Sequence, residues 1–311
     1  MQPSFYHNHT GCCDGGVSMI CFDDSYSAWC GLSIEGLPST EEGDKRLTMK
    51  NPKQTTKRGC VMKHIIIGIR GQIGTCVHTF LLNDVKRGVI SGIDLGDRVV
   101  ERDHLSECVK GDEFDMMHVC IPFSSAEGFH TDVSYYMKAY PSKHVIIYST
   151  VLPGVTERLG ENVVHSPVEG RHPKLYDGFK TFTRLVGGKD SKVVGAFYKR
   201  TGLSVETFED AKVTELGKIL STTRYGINIL FAAEQKALCD KFGLKFEEVI
   251  LGYQRMYNEG YKKLNEDRFV QQMLTPPVGK IGGHCVVPNA KLLQQITDSE
   301  FVRMLAKFNG E

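Results

Sequence analysis

The run from His64 to Gly74, HIIIGIRGQIG, constrains the fold more than any other stretch of the chain. Its β-branched part predicts a strand over 64–69. The glycines after it demand a tight turn, and Val77, Phe80, Leu81 and Val85 then draw one apolar stripe along a helix. Strand, turn and helix in that order point backbone N–H groups and the positive end of a helix at a pyrophosphate. Asp94 closes the next predicted strand, 89–94, about 20 residues beyond Gly74, the spacing of a carboxylate that accepts hydrogen bonds from an adenosine ribose. A carboxylate there repels a 2′-phosphate, which favours NAD over NADP. The reading is a Rossmann-type NAD site made by Gly68, Ile69, Arg70, Gly71, Gln72, Ile73, Gly74 and Asp94, with Pro122 and Thr150 just past later strands. Ile69 stands where the GxGxxG pattern has its first glycine, and Gly68 lies one position earlier.

Further strands are expected over 116–121, 145–149, 183–186 and 203–207, with helices over 125–140 and 191–200. This alternation predicts an α/β fold, a doubly wound parallel sheet covered on both faces. From Asp210 the pattern changes, because Leu216, Ile219, Leu220, Thr223, Ile227, Leu230, Phe231, Glu234 and Leu238 fall mostly on one helical stripe. A long helix over 210–242, shorter ones over 246–251 and 253–264, a Pro/Gly-rich loop and a final helical region make a smaller all-helical part. The expected division is an NAD-binding domain over 62–209 and a helical dimerisation and catalytic domain over 210–311. Residues 1–61 show little periodicity and are expected to be a poorly ordered extension.

Composition narrows the partners. The 38 basic and 37 acidic residues, net +1, are spread along the chain, so neither nucleic acid nor an anionic membrane is an expected partner. No apolar run approaches the ~20 residues that span a bilayer, and the start lacks the pattern of a secretory signal; a cytoplasmic protein with a small-molecule partner is expected. Of the ten cysteines, Cys60 and those after it are scattered through apolar segments as free thiols would be. The N-terminal set His7, His9, Cys12, Cys13, Cys21 and Cys30 holds possible zinc donors, but its spacing fits no paired CxxC pattern, and no metal is expected.

Four segments, YSTVLPGVTERL (148–159), HSPVEG (165–170), TELGKILSTTRYGINILFAAE (214–234) and VGKIGGHCVVPNAKLL (278–293), together resemble the UDP-glucose/GDP-mannose dehydrogenase family. That family oxidises the C6 alcohol of a nucleotide sugar to a carboxylate with two NAD. The resemblance implies that Cys285 is the nucleophile, and the residues agree. Gly282 and Gly283 allow close backbone approach, His284 favours the thiolate, and an alcohol-to-acid oxidation needs a thiol to hold the aldehyde before the second hydride leaves. The resemblance further implies that Lys218 stabilises an oxyanion, Thr150 positions water, Glu169 helps activate it, and the long helix pairs two subunits in a homodimer.

Three positions depart from the family. Thr222 replaces an asparagine, Asn289 replaces an aspartate and cannot act as a base, and the proline after the cysteine is displaced to Pro288. The second βα unit is abbreviated, and the sequence stops soon after Leu293, short of the family's C-terminal nucleotide-sugar-binding domain. Two other readings therefore stand beside the first: a two-electron alcohol or hydroxyacid dehydrogenase using Lys218, and an NAD-binding protein that has lost the chemistry.

Overall fold

The computed structural model describes residues 61–308, apart from 86–87, 95, 97, 100–104, 172, 280 and 282–284. The expected N-terminal extension up to residue 60, the His7–Cys30 donor set and the Gly282-Gly283-His284 approach lie outside the described residues.

Eight strands form one sheet in the order β3-β2-β1-β4-β5-β6-β7-β8. They are β1 (Met62–Ile67), β2 (Gly88–Asp94), β3 (Arg98–Val99), β4 (Phe114–Val119), β5 (Ser142–Ile147), β6 (Val163–His165), β7 (Arg184–Gly187) and β8 (Val205–Phe208). Strands β2, β1, β4, β5 and β6 are parallel, and the chain reverses sheet direction between β1 and β4, which are neighbours. In such sheets ligands bind outside the carboxyl ends of the strands at this switch point.

The period-2 alternation of β1 divides the core. Ile65 and Ile67 pack with Phe129, Val133, Tyr136 and Val155 under α2 (Ala126–Ala139) and α3 (Val155–Leu159). Ile66 faces the other way, onto Phe80, Phe179, Phe197 and Tyr198 of α1 (Gln72–Asp84), α4 (Leu175–Thr181) and α5 (Ser191–Arg200). The doubly wound sheet is thus the one expected from sequence, with two refinements. Strand β3 is a short antiparallel edge, and β6 meets β7 antiparallel, so that β7 and β8 run against the five central parallel strands. Helix α4, roughly 10 Å long at 1.5 Å per residue, does not return the chain to the opposite end of the sheet before β7 starts, and an antiparallel neighbour needs no crossover.

Beyond β8 the chain is helical: α6 (Ala211–Lys241), a π-helical turn (Glu247–Gly252), α7 (Tyr253–Lys263), α8 (Val286–Leu293) and α9 (Glu300–Lys307). Ile219, Val286, Ala290, Leu293, Val302 and Leu305 make a third core where α8 and α9 pack on α6. Gly226 permits this approach, since a Cβ there would lie 2.4 Å from a methyl of Val286 and 2.7 Å from one of Leu305. The single apolar stripe expected on α6 is in fact two. Ile219, packed in the core with α8 and α9, and Thr223 and Leu230 are buried, whereas Leu216, Leu220, Phe231 and Leu238 are exposed on the adjoining flank. Among the described residues no helix is long and apolar enough to cross a membrane.

Candidate active site

At the end of β1 the backbone of Gly68 has φ +82°, a left-handed conformation that favours glycine. Its N–H bonds Ile93 O at 2.8 Å, and a Cβ would lie 2.8 Å from Cys120 O. Gly74 is tighter still: a Cβ would lie 2.2 Å from Gly68 O. Ile69 turns inward, fully buried against Gly92 of β2, which explains how an isoleucine is tolerated where a glycine was expected. Gly68 makes the turn and Ile69 packs it. Gly71 caps α1 without a side-chain hydrogen bond, and the first turn holds no acidic residue. The N–H groups of Gln72, Ile73 and Gly74 therefore have no acceptor within the helix and face an approaching anion. This open cradle fits a dinucleotide pyrophosphate. Asp94 ends β2 as expected, with Arg70 Nε 3.8 Å from its carboxylate and more exposed than the acid.

Pro122 and Thr150 follow β4 and β5 and are brought side by side, because the Ser149 hydroxyl donates to Ile121 O at 2.6 Å. Buried His165, at the end of β6, fixes Ser149 from the other side. Its Nε2 lies 3.1 Å from Ser149 O and its Nδ1 2.9 Å from the Thr214 hydroxyl of α6. A carbonyl only accepts, so Nε2 carries the proton, and a neutral ring then accepts from Thr214. Burial, with lesser pushes from Lys218 and Arg184, lowers His165 to about 3 against the Ser149 bond, so the ring is neutral at physiological pH.

The next residue along α6, Glu215, is wholly buried and its carboxylate accepts from Gly154 N at 2.6 Å and Thr156 N at 2.9 Å. Burial pushes this carboxyl up, while those N–H bonds hold it down. Glu215 thus caps α3 and locks the Thr150 turn to α6. Sequence reasoning assigned no role to His165 or Glu215. The available signal for Glu215 was its place four residues before Ile219, on the inner face of the helix.

One turn further, Lys218 is mostly sunk, and its Nζ donates to Val168 O at 2.7 Å and pairs with Glu169 Oε1 at 3.0 Å. The structure therefore joins two residues that the sequence placed in one site from 49 positions apart. An ammonium has three hydrogens, so one remains for a ligand. Thr222 gives its hydroxyl hydrogen to Lys218 O at 3.1 Å, so in this state it can accept from a ligand and not donate.

Cys285 caps α8, at the positive end of that helix. Of the described cysteines it is the exposed one; Cys76, Cys108 and Cys239 are buried and Cys120 partly so. Burial pushes Cys76 up to about 11 and raises Cys108 and Cys120 as well, which leaves those thiols inert. Asn289, one turn on, donates its N–H to Cys285 O at 3.0 Å; its side chain is buried, and its amide nitrogen has no partner among the described residues. The next residue after Cys285, Val286, sits over Gly226, eight residues or about 12 Å along α6 from Lys218. Leu152 of the Thr150 turn packs into the same core as Val286. Thr150, Lys218 and the head of α8 thus share one side of α6, while Glu169 joins them through Lys218. Among the described residues no group of three or more His, Cys, Asp or Glu could hold a metal ion.

A Rossmann-type sheet followed by a helical part built on one long helix is the fold of a set of solved dehydrogenases. A UDP-D-ManNAc dehydrogenase from Pyrococcus horikoshii matches with a TM-score of 0.62 at 18% identity, over 80% of this chain and 68% of that one. A UDP-N-acetyl-mannosamine dehydrogenase from Staphylococcus aureus matches at 0.58 and 17%, over 79% and 67%. A 3-hydroxyisobutyrate dehydrogenase from Mycobacterium tuberculosis matches at 0.56 and 15%, over 79% of this chain and 92% of that one. The chain therefore spans about two thirds of the nucleotide-sugar enzymes it matches. No family model and no curated protein sequence matches it.

Proposed function

We propose that the chain is an NAD-dependent oxidoreductase that oxidises a primary alcohol of a sugar or nucleotide sugar to a carboxylate, with Cys285 as covalent nucleophile. What supports this reading is an exposed thiol at the head of α8, a helix packed on the same α6 that carries the lysine of the Lys218–Glu169 pair, in a chain with a dinucleotide-type sheet. Residues 62–209 hold the cofactor and 210–311 the cysteine. Two NAD, bound in turn, would each accept one hydride, the first from the alcohol and the second from the thiohemiacetal.

In the first oxidation the alcohol loses its hydroxyl proton to a water held by Glu169 and Thr150 as its carbon loses a hydride, giving the aldehyde; Asn289 is no base, and the Lys218 ammonium has no lone pair to accept the proton. The Cys285 thiolate then adds to the aldehyde carbon, and the free Lys218 hydrogen stabilises the resulting oxyanion. Loss of the second hydride from that carbon leaves a thioester on Cys285. Water activated by Glu169 and positioned by Thr150 cleaves it to the acid and the thiol. Asp94 holds the adenosine ribose, and the exposed apolar flank of α6 is covered by a second copy of the chain.

The coverage of the hydroxyisobutyrate enzyme, 92% of its length, favours a second reading. In it a hydroxyacid is oxidised by two electrons, Lys218 does the acid–base work and Cys285 is structural. Limited iodoacetamide treatment followed by mass spectrometry separates the two. The covalent reading expects Cys285 to alkylate ahead of Cys108 and Cys239, at a rate that NAD changes. Labelling of Cys285 no faster than the buried thiols contradicts it.

A further inference from the structure

We infer that Arg184 is a positioning residue for the proposed site, holding from beneath the loop that presents Val168 O and Glu169 to Lys218. The inference rests on the reading of Lys218 and Glu169 as site residues, and on a feature that reading does not use. Arg184, on β7, is 1% exposed and heads the largest fully buried side chains. Among the described residues no carboxylate pairs with it. A guanidinium does not give up its proton, so its charge is buried without a counter-ion.

Its neighbours show what holds it. The ring of Phe179 lies 4.3 Å from the guanidinium carbon, with Tyr198 and Tyr148 at 5.6 and 5.9 Å, so the charge is met by aromatic faces. Tyr148 and Tyr198 are themselves joined through their hydroxyls at 2.6 Å, and Tyr148 bonds His118 at 2.9 Å. This rigid wall aims Nη2 at a single residue. It donates to both Ser166 O and Ser166 Oγ, each at 2.8 Å. An apolar side chain of similar length would fill the space without the charge, so space-filling alone does not account for an arginine here.

Ser166 is where the loop leaves the sheet. Its own N–H is fixed to Ile147 O at 2.8 Å, Pro167 brings no N–H, and the next two residues carry the two contacts to Lys218. Arg184 from the sheet and Lys218 from α6 therefore grip one short segment on either side of Pro167. Both cations also bear on His165, which precedes Ser166. With the Arg184 fork removed, the position of Val168 O rests on Lys218 itself, and the lysine loses a fixed partner.

The test uses the full chain and needs no substrate. Hydrogen exchange over 166–170 and the rate at which trinitrobenzenesulfonate labels Lys218 are compared in the wild type, Arg184→Met and Ser166→Ala. Arg184→Met is expected to raise loop exchange and Lys218 labelling at least tenfold while β1, β4 and α1 exchange as before. Ser166→Ala, which keeps the carbonyl and carries little risk to folding, is expected to move both readouts in the same direction by a smaller factor. Unchanged loop exchange and labelling in Ser166→Ala overturns the inference, as does a uniform rise across the sheet in Arg184→Met, which marks a merely structural role. A wild-type protein that turns over nothing overturns the proposed function instead, and leaves Arg184 to be judged by these two readouts.

Discussion

Asp94 and Arg70 stand together at the end of β2, and the choice of dinucleotide turns on which of them meets the ribose. Asp94 is the less exposed and ends the strand, and in the proposed function it accepts from the ribose hydroxyls, with Arg70 the group a 2′-phosphate would meet. Asp94→Ala should weaken NAD about tenfold or more and leave NADP nearly unchanged, read by titration of each cofactor. Equal loss for both takes the carboxylate out of the ribose site. The glycines, Asp94, Lys218 and Cys285 stood out in the sequence as candidates because each carries a spacing or a flanking motif. Glu215, His165 and Arg184 did not, since a polar residue that a fold buries looks in one sequence like a polar residue on a surface. Their partners lie far along the chain, 59 and 61 residues away for Glu215. Ile69 shows the converse: the motif marked a departure, and only the packing on Gly92 explains it.

Strands β1 and β6 each bury a histidine, and this sets how the fold responds to acid. Burial lowers His64 to about 4 in spite of nearby Asp115, and His165 to about 3, both well under the ordinary 6.5. Between pH 6.5 and 4 the unfolded chain binds protons that the folded chain refuses, so their contribution is complete above pH 6.5 and is lost as pH falls. Held at about 4 and about 3 against 6.5, the two rings correspond to roughly 3 and 5 kcal/mol. The urea midpoint should therefore drop steadily from pH 7 to 4.5, and His64→Gln should flatten that slope by about one proton. A midpoint constant from pH 7 to 5 contradicts the neutral assignment. At this scale the sequence was most informative where an element is long: α2, α5 and α6 start and stop within two residues of expectation. It missed β3, β6, α3 and α4, which span two to seven residues. Such elements carry too little periodicity to register; α3 exists because Glu215 caps it, and β6 because β5 and β7 flank it.

At the scale of the molecule, α6 and α7 carry many of the exposed large apolar side chains among the described residues. Phe231 is 61% and Phe242 69% exposed, and Leu216, Leu220, Leu238, Tyr253 and Met256 are exposed as well. On α6 they fall along one flank, and an apolar flank of this kind marks an interaction surface. A dimer at micromolar concentration by light scattering is expected, and Phe231→Asp should shift it toward monomer; a monomeric wild type refutes the pairing. The central claim, oxidation of an alcohol to an acid through Cys285, is tested most directly by counting NADH. The purified chain is given excess NAD and a limiting amount of each of a panel of UDP-sugars, plain sugars and hydroxyacids, and absorbance is followed to completion. Two NADH per substrate consumed, lost in Cys285→Ser while NAD affinity stays within a few-fold, is the predicted result. One NADH per substrate, with Cys285→Ser as active as the wild type, would contradict the covalent mechanism and leave Lys218 acting in a two-electron dehydrogenase.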